Sequence, residues 1–138
     1  MIRRVFVDSD VILDVALARE PFVTSSKMTL GVLENGLMMG FVSANGLANL
    51  YYVLRKAGGD AKARKFLGSL LKYLSVLPIT HANVSDALAS GFADLEDAMQ
   101  YFCAQTNQCD AIITRNLADY RKSKIAIYTP TEFLGLLE

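Results

Sequence analysis

Four things are scarce in this sequence, and each scarcity closes off a class of protein. Among 138 residues there is one histidine, His81, and only two cysteines, Cys103 and Cys109. No C-x-x-C pair occurs; Cys103 sits in a helical pattern and Cys109 before an apolar run. A structural zinc site is therefore disfavoured, and the pair reads as reduced, partly buried thiols of a cytoplasmic protein. Net charge is missing too, since 14 Lys and Arg balance 14 Asp and Glu. Dedicated binders of duplex DNA are usually basic, because phosphate neutralisation supplies most of their affinity. Neutrality argues against that class, but not against a nuclease whose metal ions meet the phosphate while a local basic rim guides the strand. Long apolar runs are also absent. Asp8 and Asp10 interrupt the stretch begun by Val5-Phe6-Val7, so it lacks the apolar core of a secretory signal. Nothing approaches the roughly 18 apolar residues of a membrane span. Finally, 9 glycines and 3 prolines are too few for a collagen-like or low-complexity chain.

What is present is apolar patterning. A hydrophobic content of 52% and a mean hydropathy of +0.27 exclude a disordered chain. The length suits one domain spanning residues 1–138. Val5 to Val7 reads as a buried strand and Val11 to Leu17 as a helix broken at Glu20-Pro21. Thr24 and Ser25 are candidate caps of a second helix that ends at Asn35-Gly36. Leu37 to Val42 is a second strand. Ser43 caps a third helix that runs to Gly58-Gly59, and Asp60 caps a fourth. Val76 to Ile79 reads as an edge strand, and Thr80 caps a fifth helix ending at Gly91. Asp94 starts a sixth, with Leu95, Met99, Phe102 and Cys103 expected on its apolar face. Ala111 to Thr114 and Ile125 to Tyr128 are further strands, and a last helix covers Thr131 to Leu137. Strands alternating with helices predict a three-layer α/β/α fold around a parallel sheet of four or five strands.

Ligands of such sheets bind beyond the carboxyl ends of the strands, so the polar residues there are the candidates. Asp8 directly follows an apolar strand, where an unpaired carboxylate is costly; a helix cap is the plain alternative. Asp10 reads as a cap or a supporting group. After the second strand, Ser43 is accounted for as a cap. Asn49, two turns into the helix, can turn toward the strand ends or remain an ordinary surface amide. Asp94 and Asp97 share one helix face with Tyr101, while Glu96 is expected to point elsewhere. Acids in a first turn favour the helix dipole, yet two like charges on one face repel unless a cation sits beside them. After the fourth strand, Thr114, Arg115, Asn116 and Asp119 follow. Thr114 and Asn116 can bind a cation or phosphate or shape a turn. Asp119 can cap or ligate, and Arg115 can meet a phosphate or sit on the rim.

Four segments in this order resemble the PIN-domain family, specifically the small PIN domains of VapC-like toxins: Phe6 to Asp14, Ser43 to Tyr52, Asp94 to Ala98, and Ile112 to Tyr120. The resemblance implies an acidic pocket that holds Mg²⁺ or Mn²⁺ and activates water to hydrolyse RNA. By position, Asp8 and Asp97 match the core metal-binding acids, with Asp94 as a further candidate ligand. Ser43, Asn49, Thr114, Asn116 and Asp119 match the supporting pocket, and Arg115 is a candidate RNA contact. Such toxins commonly dimerise and are blocked by a small antitoxin, so a homodimer and an antitoxin partner are implied. Leu30, Val32, Leu33, Met38 and Met39 suit a partner surface or plain core burial. Single-stranded RNA would use some of Arg55, Lys56, Lys62, Arg64, Lys65, Arg121, Lys122 and Lys124, with Tyr51, Tyr52 or Tyr120 for stacking.

Two positions depart from that pattern. Asn49 stands where a glutamate is usual and Asn116 where an aspartate is common, and each neutral amide lowers the charge available to a cation. One alternative is therefore a catalytically impaired PIN-like module that binds RNA or protein. A second is a haloacid-dehalogenase-type phosphatase with Asp8 as nucleophile and Asp10 as acid/base, although its later lysine and Gly-Asp loop are not found. A phospho-receiver domain fits least, because Thr114 is followed by arginine where a lysine is wanted.

Overall fold

The structure is a computed structural model and describes residues 1–137. Five parallel strands form one sheet: β1 (Arg4–Val7), β2 (Met39–Ser43), β3 (Leu74–Leu77), β4 (Ala111–Ile113) and β5 (Ala126–Tyr128). Their order is β3-β2-β1-β4-β5, which places β1 at the centre. Val5, Phe6 and Val7 are all but inaccessible, as the unbroken apolar run of a central parallel strand requires.

The two-residue period of β1 divides the core. Val5 and Val7 pack with Val11 and Ile12 of α1 (Ser9–Ala16), Leu30 and Leu33 of α2 (Val23–Glu34), Leu50 of α3 (Ala44–Gly58), Leu70 of α4 (Asp60–Leu70) and Phe133 of α7 (Pro130–Gly135). Phe6 points to the opposite face and packs with Phe41, Tyr101, Cys103, Ile112 and Tyr120. That face is covered by α6 (Leu95–Thr106), against which α5 (His81–Leu88) packs, and by a 3₁₀ turn at Leu117–Tyr120. Both thiols are free and buried, and burial pushes each up to about 11, so they stay protonated and unreactive.

Local chemistry explains most boundaries. The Ser43 hydroxyl accepts from the Gly46 N–H at 2.8 Å, and Thr80 and Thr129 form capping boxes with Asn83 and Glu132. After α2, Gly36 takes a left-handed φ of 76°, which ends the helix as Asn-Gly predicts. Several expectations need correction. Helix α2 starts at Val23 without a side-chain cap, so Thr24 and Ser25 lie inside it. Gly59 precedes α4, and Asp60 accepts from Tyr51 and Arg64 instead of capping. The buried face of α6 carries Ala98, Tyr101, Cys103 and Ala104, whereas Leu95 is exposed. Leu30 and Leu33 are core residues and Val32 and Met38 pack against them, which leaves Met39 alone of that group exposed. No helix among the described residues is long and apolar enough to cross a membrane.

Candidate active site

Chain order along the sheet reverses beside β1: β2 and β3 extend to one side, β4 and β5 to the other. The carboxyl ends of β1 and β4 therefore flank the switch point, where parallel sheets leave a crevice. Asp8 follows β1 there, and its N–H donates to the Ile113 carbonyl at 2.9 Å. Thr114 follows β4, with its N–H on the Tyr128 carbonyl at 3.0 Å. Sheet pairing thus joins two residues 106 positions apart, and the Thr114 hydroxyl lies 3.0 Å from Asp8 Oδ2.

The cap explanation for Asp8 fails on geometry. It precedes α1, yet its side chain makes no capping bond. Instead Oδ2 accepts from Thr114 and, at 3.1 Å, from the buried phenol of Tyr120. Burial drives the Asp8 carboxyl upward; the bonds from Thr114 and Tyr120 oppose this, and Asp119 adds to it. The same Thr114 oxygen lies 3.4 Å from Asp10 Oδ2, which also faces the Arg115 N–H at 3.2 Å and Asn116 Nδ2 at 3.1 Å. Asp10 is pushed up to about 7, first by burial and next by Asp8. Its other oxygen is buried without a partner. Replacing Thr114 by valine keeps the shape and removes the shared donor. The expected cost is about 1–3 kcal/mol in urea unfolding, the usual penalty for unpairing a buried charged acceptor.

On the opposite wall, Asp94 accepts from the Asp97 N–H at 2.9 Å and so caps α6 as expected. That explains Asp94, while the Asp97 carboxyl has no hydrogen-bond partner among the described residues. Half-buried, Asp97 is raised to about 7, chiefly by burial and then by Asp8, Asp94, Asp119 and Glu96. Five acids from β1, α6 and the 3₁₀ turn thereby share one field. Neither of the ion pairs among the described residues, Arg64–Asp60 and Arg115–Asp14, neutralises any of them.

Three placements differ from expectation. Glu96, read as pointing away, accepts from the Asn49 side-chain amide and is raised by burial, Asp94 and Asp8. The helix position that carries a neutral amide is thus coupled to a carboxylate on the neighbouring helix, which spacing within α6 alone does not show. Tyr120, a candidate for base stacking, is buried on Asp8 and unavailable for it. Arg115 is held on Asp14, a wholly buried acid that closes the first matching segment and to which the sequence assigns no role. Ser43 remains a cap, and Asp119 sits exposed in the 3₁₀ turn within electrostatic reach of Asp8 and Asp97.

The donor set is all oxygen, with repelling carboxylates and, among the described residues, no cationic side chain ion-paired to them; this suits a hard cation such as Mg²⁺ or Mn²⁺. Among the described residues, no three His, Cys, Asp or Glu converge into a ready-made cage. Mg²⁺ does not require one, since it is commonly held by one or two carboxylates with waters and a substrate phosphate.

The fold and site define a three-layer α/β/α domain with an acidic centre at its switch point. The chain belongs to the PIN-domain family, whose family model matches residues 4–118. It is 28% identical over 135 residues to Ribonuclease VapC1 of Aquifex aeolicus, covering 94% of this chain and 92% of that protein. Among solved structures, a toxin-antitoxin complex from Klebsiella pneumoniae aligns with a TM-score of 0.70 at 19% identity, over 91% of this chain and 97% of that one. FitAcB from Neisseria gonorrhoeae aligns with a TM-score of 0.70 at 16% identity, over 92% and 98%. The phosphatase and receiver readings give way to this membership.

Proposed function

We propose that this chain is an endoribonuclease that hydrolyses RNA phosphodiester bonds, with Asp8 and Asp97 as the residues that would hold Mg²⁺ or Mn²⁺. The observation that carries the reading is the acid cluster itself: Asp8 raises the proton affinity of Asp97, Asp119 raises that of both, and among the described residues no basic side chain is ion-paired to either. Its placement at the switch point in a PIN domain, and the likeness to a protein named a ribonuclease, support the substrate class.

A bound divalent cation would supply Lewis acidity toward the phosphate and lower the proton affinity of the attacking water. The chain's own residues do the rest. Thr114 and Tyr120 both bond Asp8 Oδ2, which fixes the carboxylate's orientation. The Asp94 cap holds the first turn of α6 and with it the Cα of Asp97. Glu96, steadied by Asn49, adds negative charge near the α3 position where an acid is usual. In the reaction water attacks phosphorus and gives its proton to solvent or to the acid cluster, while the bond from phosphorus to the ribose oxygen breaks and that oxygen takes a proton from solvent.

The finer reading is the toxin of a type II toxin–antitoxin pair, acting in the cytoplasm, with a small antitoxin as partner and a homodimer as the working form. Its support is that the solved structures similar in fold include toxin-antitoxin assemblies. Cleavage of a labelled single-stranded RNA pool with Mn²⁺, Mg²⁺ or EDTA tests the enzyme reading. Cutting that needs the cation and disappears in Asp8→Asn is expected. A folded wild type that cuts with neither metal would favour a binding module without catalysis, for which the amides Asn49 and Asn116 are the specific observation.

A further inference from the structure

Arg115 follows the threonine shared by Asp8 and Asp10, so its side chain controls where that loop lies. Its Nε donates to Asp14 Oδ2 at 2.7 Å, and its guanidinium carbon stands 4.0 Å over the centre of the Phe22 ring. Asp14 is wholly buried; among the described residues its carboxylate has one other partner, the Ser26 hydroxyl at 3.3 Å from Oδ2, and Oδ1 has none. Helices α1 and α2 therefore grip the guanidinium from behind. From the same residue the backbone N–H reaches Asp10, and the neighbouring Asn116 amide reaches the same oxygen. A buried ion pair is weak as a stability device, because two apolar residues of similar volume often serve as well or better. What it provides is a fixed direction: the planar guanidinium bonds and stacks in one geometry only.

We infer that the Asp14–Arg115 pair is a positioning device for the acidic centre. It clamps the loop after β4 onto α1 so that the Thr114 hydroxyl reaches Asp8 and Asp10, and Arg115 acts through that loop without touching RNA. The inference rests on the proposed cation-dependent reading of the same site, so its test measures cation binding separately from cleavage.

Arg115→Met alone strands a buried carboxylate and invites misfolding, so the decisive protein is the double variant Asp14→Leu/Arg115→Met, with Arg115→Lys beside it. Mn²⁺ binding without RNA is read from the loss of the free-ion magnetic resonance signal, and kcat and KM are measured on RNA at several salt concentrations. In a double variant that melts cooperatively, Mn²⁺ affinity is expected to fall about tenfold, as for other groups that orient metal-binding residues. The kcat should fall at least as far with KM within about twofold, and Arg115→Lys should show the same pattern more weakly. Unchanged Mn²⁺ affinity and kcat, with a raised KM whose salt slope drops by about one, would make Arg115 a phosphate contact and overturn the clamp. A wild type that binds Mn²⁺ without cutting RNA would defeat the ribonuclease reading, while the affinity comparison would still decide the clamp. A wild type that neither binds Mn²⁺ nor cuts overturns both.

Discussion

Replacing Asp97 by asparagine is expected to remove nearly all cleavage and, in a chelator at pH 7.5, to make the protein more stable. Asp97 is raised to about 7 by burial and by four neighbouring acids, so its ionised form is held in the fold at a cost. Asparagine has the same shape and no charge. Against the gain stands the loss of one acid from the first turn of α6, about 0.5 kcal/mol by its interaction with the helix dipole. Relief of the repulsion exceeds this. Because the group is half-exposed we discount the shift for solvent screening and expect a net gain of about 1–2 kcal/mol, or roughly 3–6 °C in Tm. Cleavage should fall by about 10³-fold, the scale for losing one preorganised electrostatic group. Mg²⁺ should raise the Tm of the wild type in a concentration-dependent way, and that of the variant far less. A variant less stable than the wild type in chelator would mean that Asp97 serves α6 and not a cation.

The second large effect is on pH, and it runs opposite to ordinary acid denaturation. Asp10 and Asp97 titrate near 7 in the fold, and Asp8 is raised as well, while in the unfolded chain all three take the ordinary value of 3.8. Between those limits the folded protein keeps protons that the unfolded chain has released. Stability from these groups is therefore greatest below about pH 4 and is lost as pH rises toward 7. Asp60 and Asp110 are shifted downward, by Tyr51 and Arg64 and by the Arg3 and Arg4 amides respectively. They act in the usual sense, but only below the ordinary carboxylate range. In chelator the Tm at pH 8 should thus lie below that at pH 5 by roughly 5–10 °C, corresponding to about 2–3 kcal/mol after allowing for coupling among the acids. Mg²⁺ at pH 8 should recover most of the difference, and Asp8→Asn/Asp97→Asn should flatten the profile. A Tm that rises from pH 5 to pH 8 in chelator would show that the acids do not share a field.

How far the site could be read in advance depended on the range of the interaction involved. Asp8 and Thr114 were found because an apolar run ending in a polar residue marks a strand's carboxyl end, and parallel sheets collect ligands there. The caps Ser43, Thr80 and Asp94 were legible because a cap is a contact over three residues. Asp60 looked like a cap and is not, since Tyr51 and Arg64 compete for the same oxygens. Glu96 was misjudged by helical spacing alone, because its partner Asn49 belongs to another helix. Asp14 closes a matching segment but shows no role there: one acid in an amphipathic helix gives no signal until an arginine 101 positions away is seen on it.

By itself the sequence determined the elements, the caps at Ser43, Thr80 and Asp94, the apolar strands and the residues at their ends, for these follow from periods of two and 3.6 residues and from contacts within a turn. Only the tertiary structure decided which acids share a field, which arginine is tied down and which tyrosine is buried. The order β3-β2-β1-β4-β5 brings β1 beside β4 and so joins Asp8 to Thr114 and Tyr120. Coulomb energies and hydrogen bonds change over ångströms, and separations along a chain do not encode distances on that scale between elements a hundred residues apart.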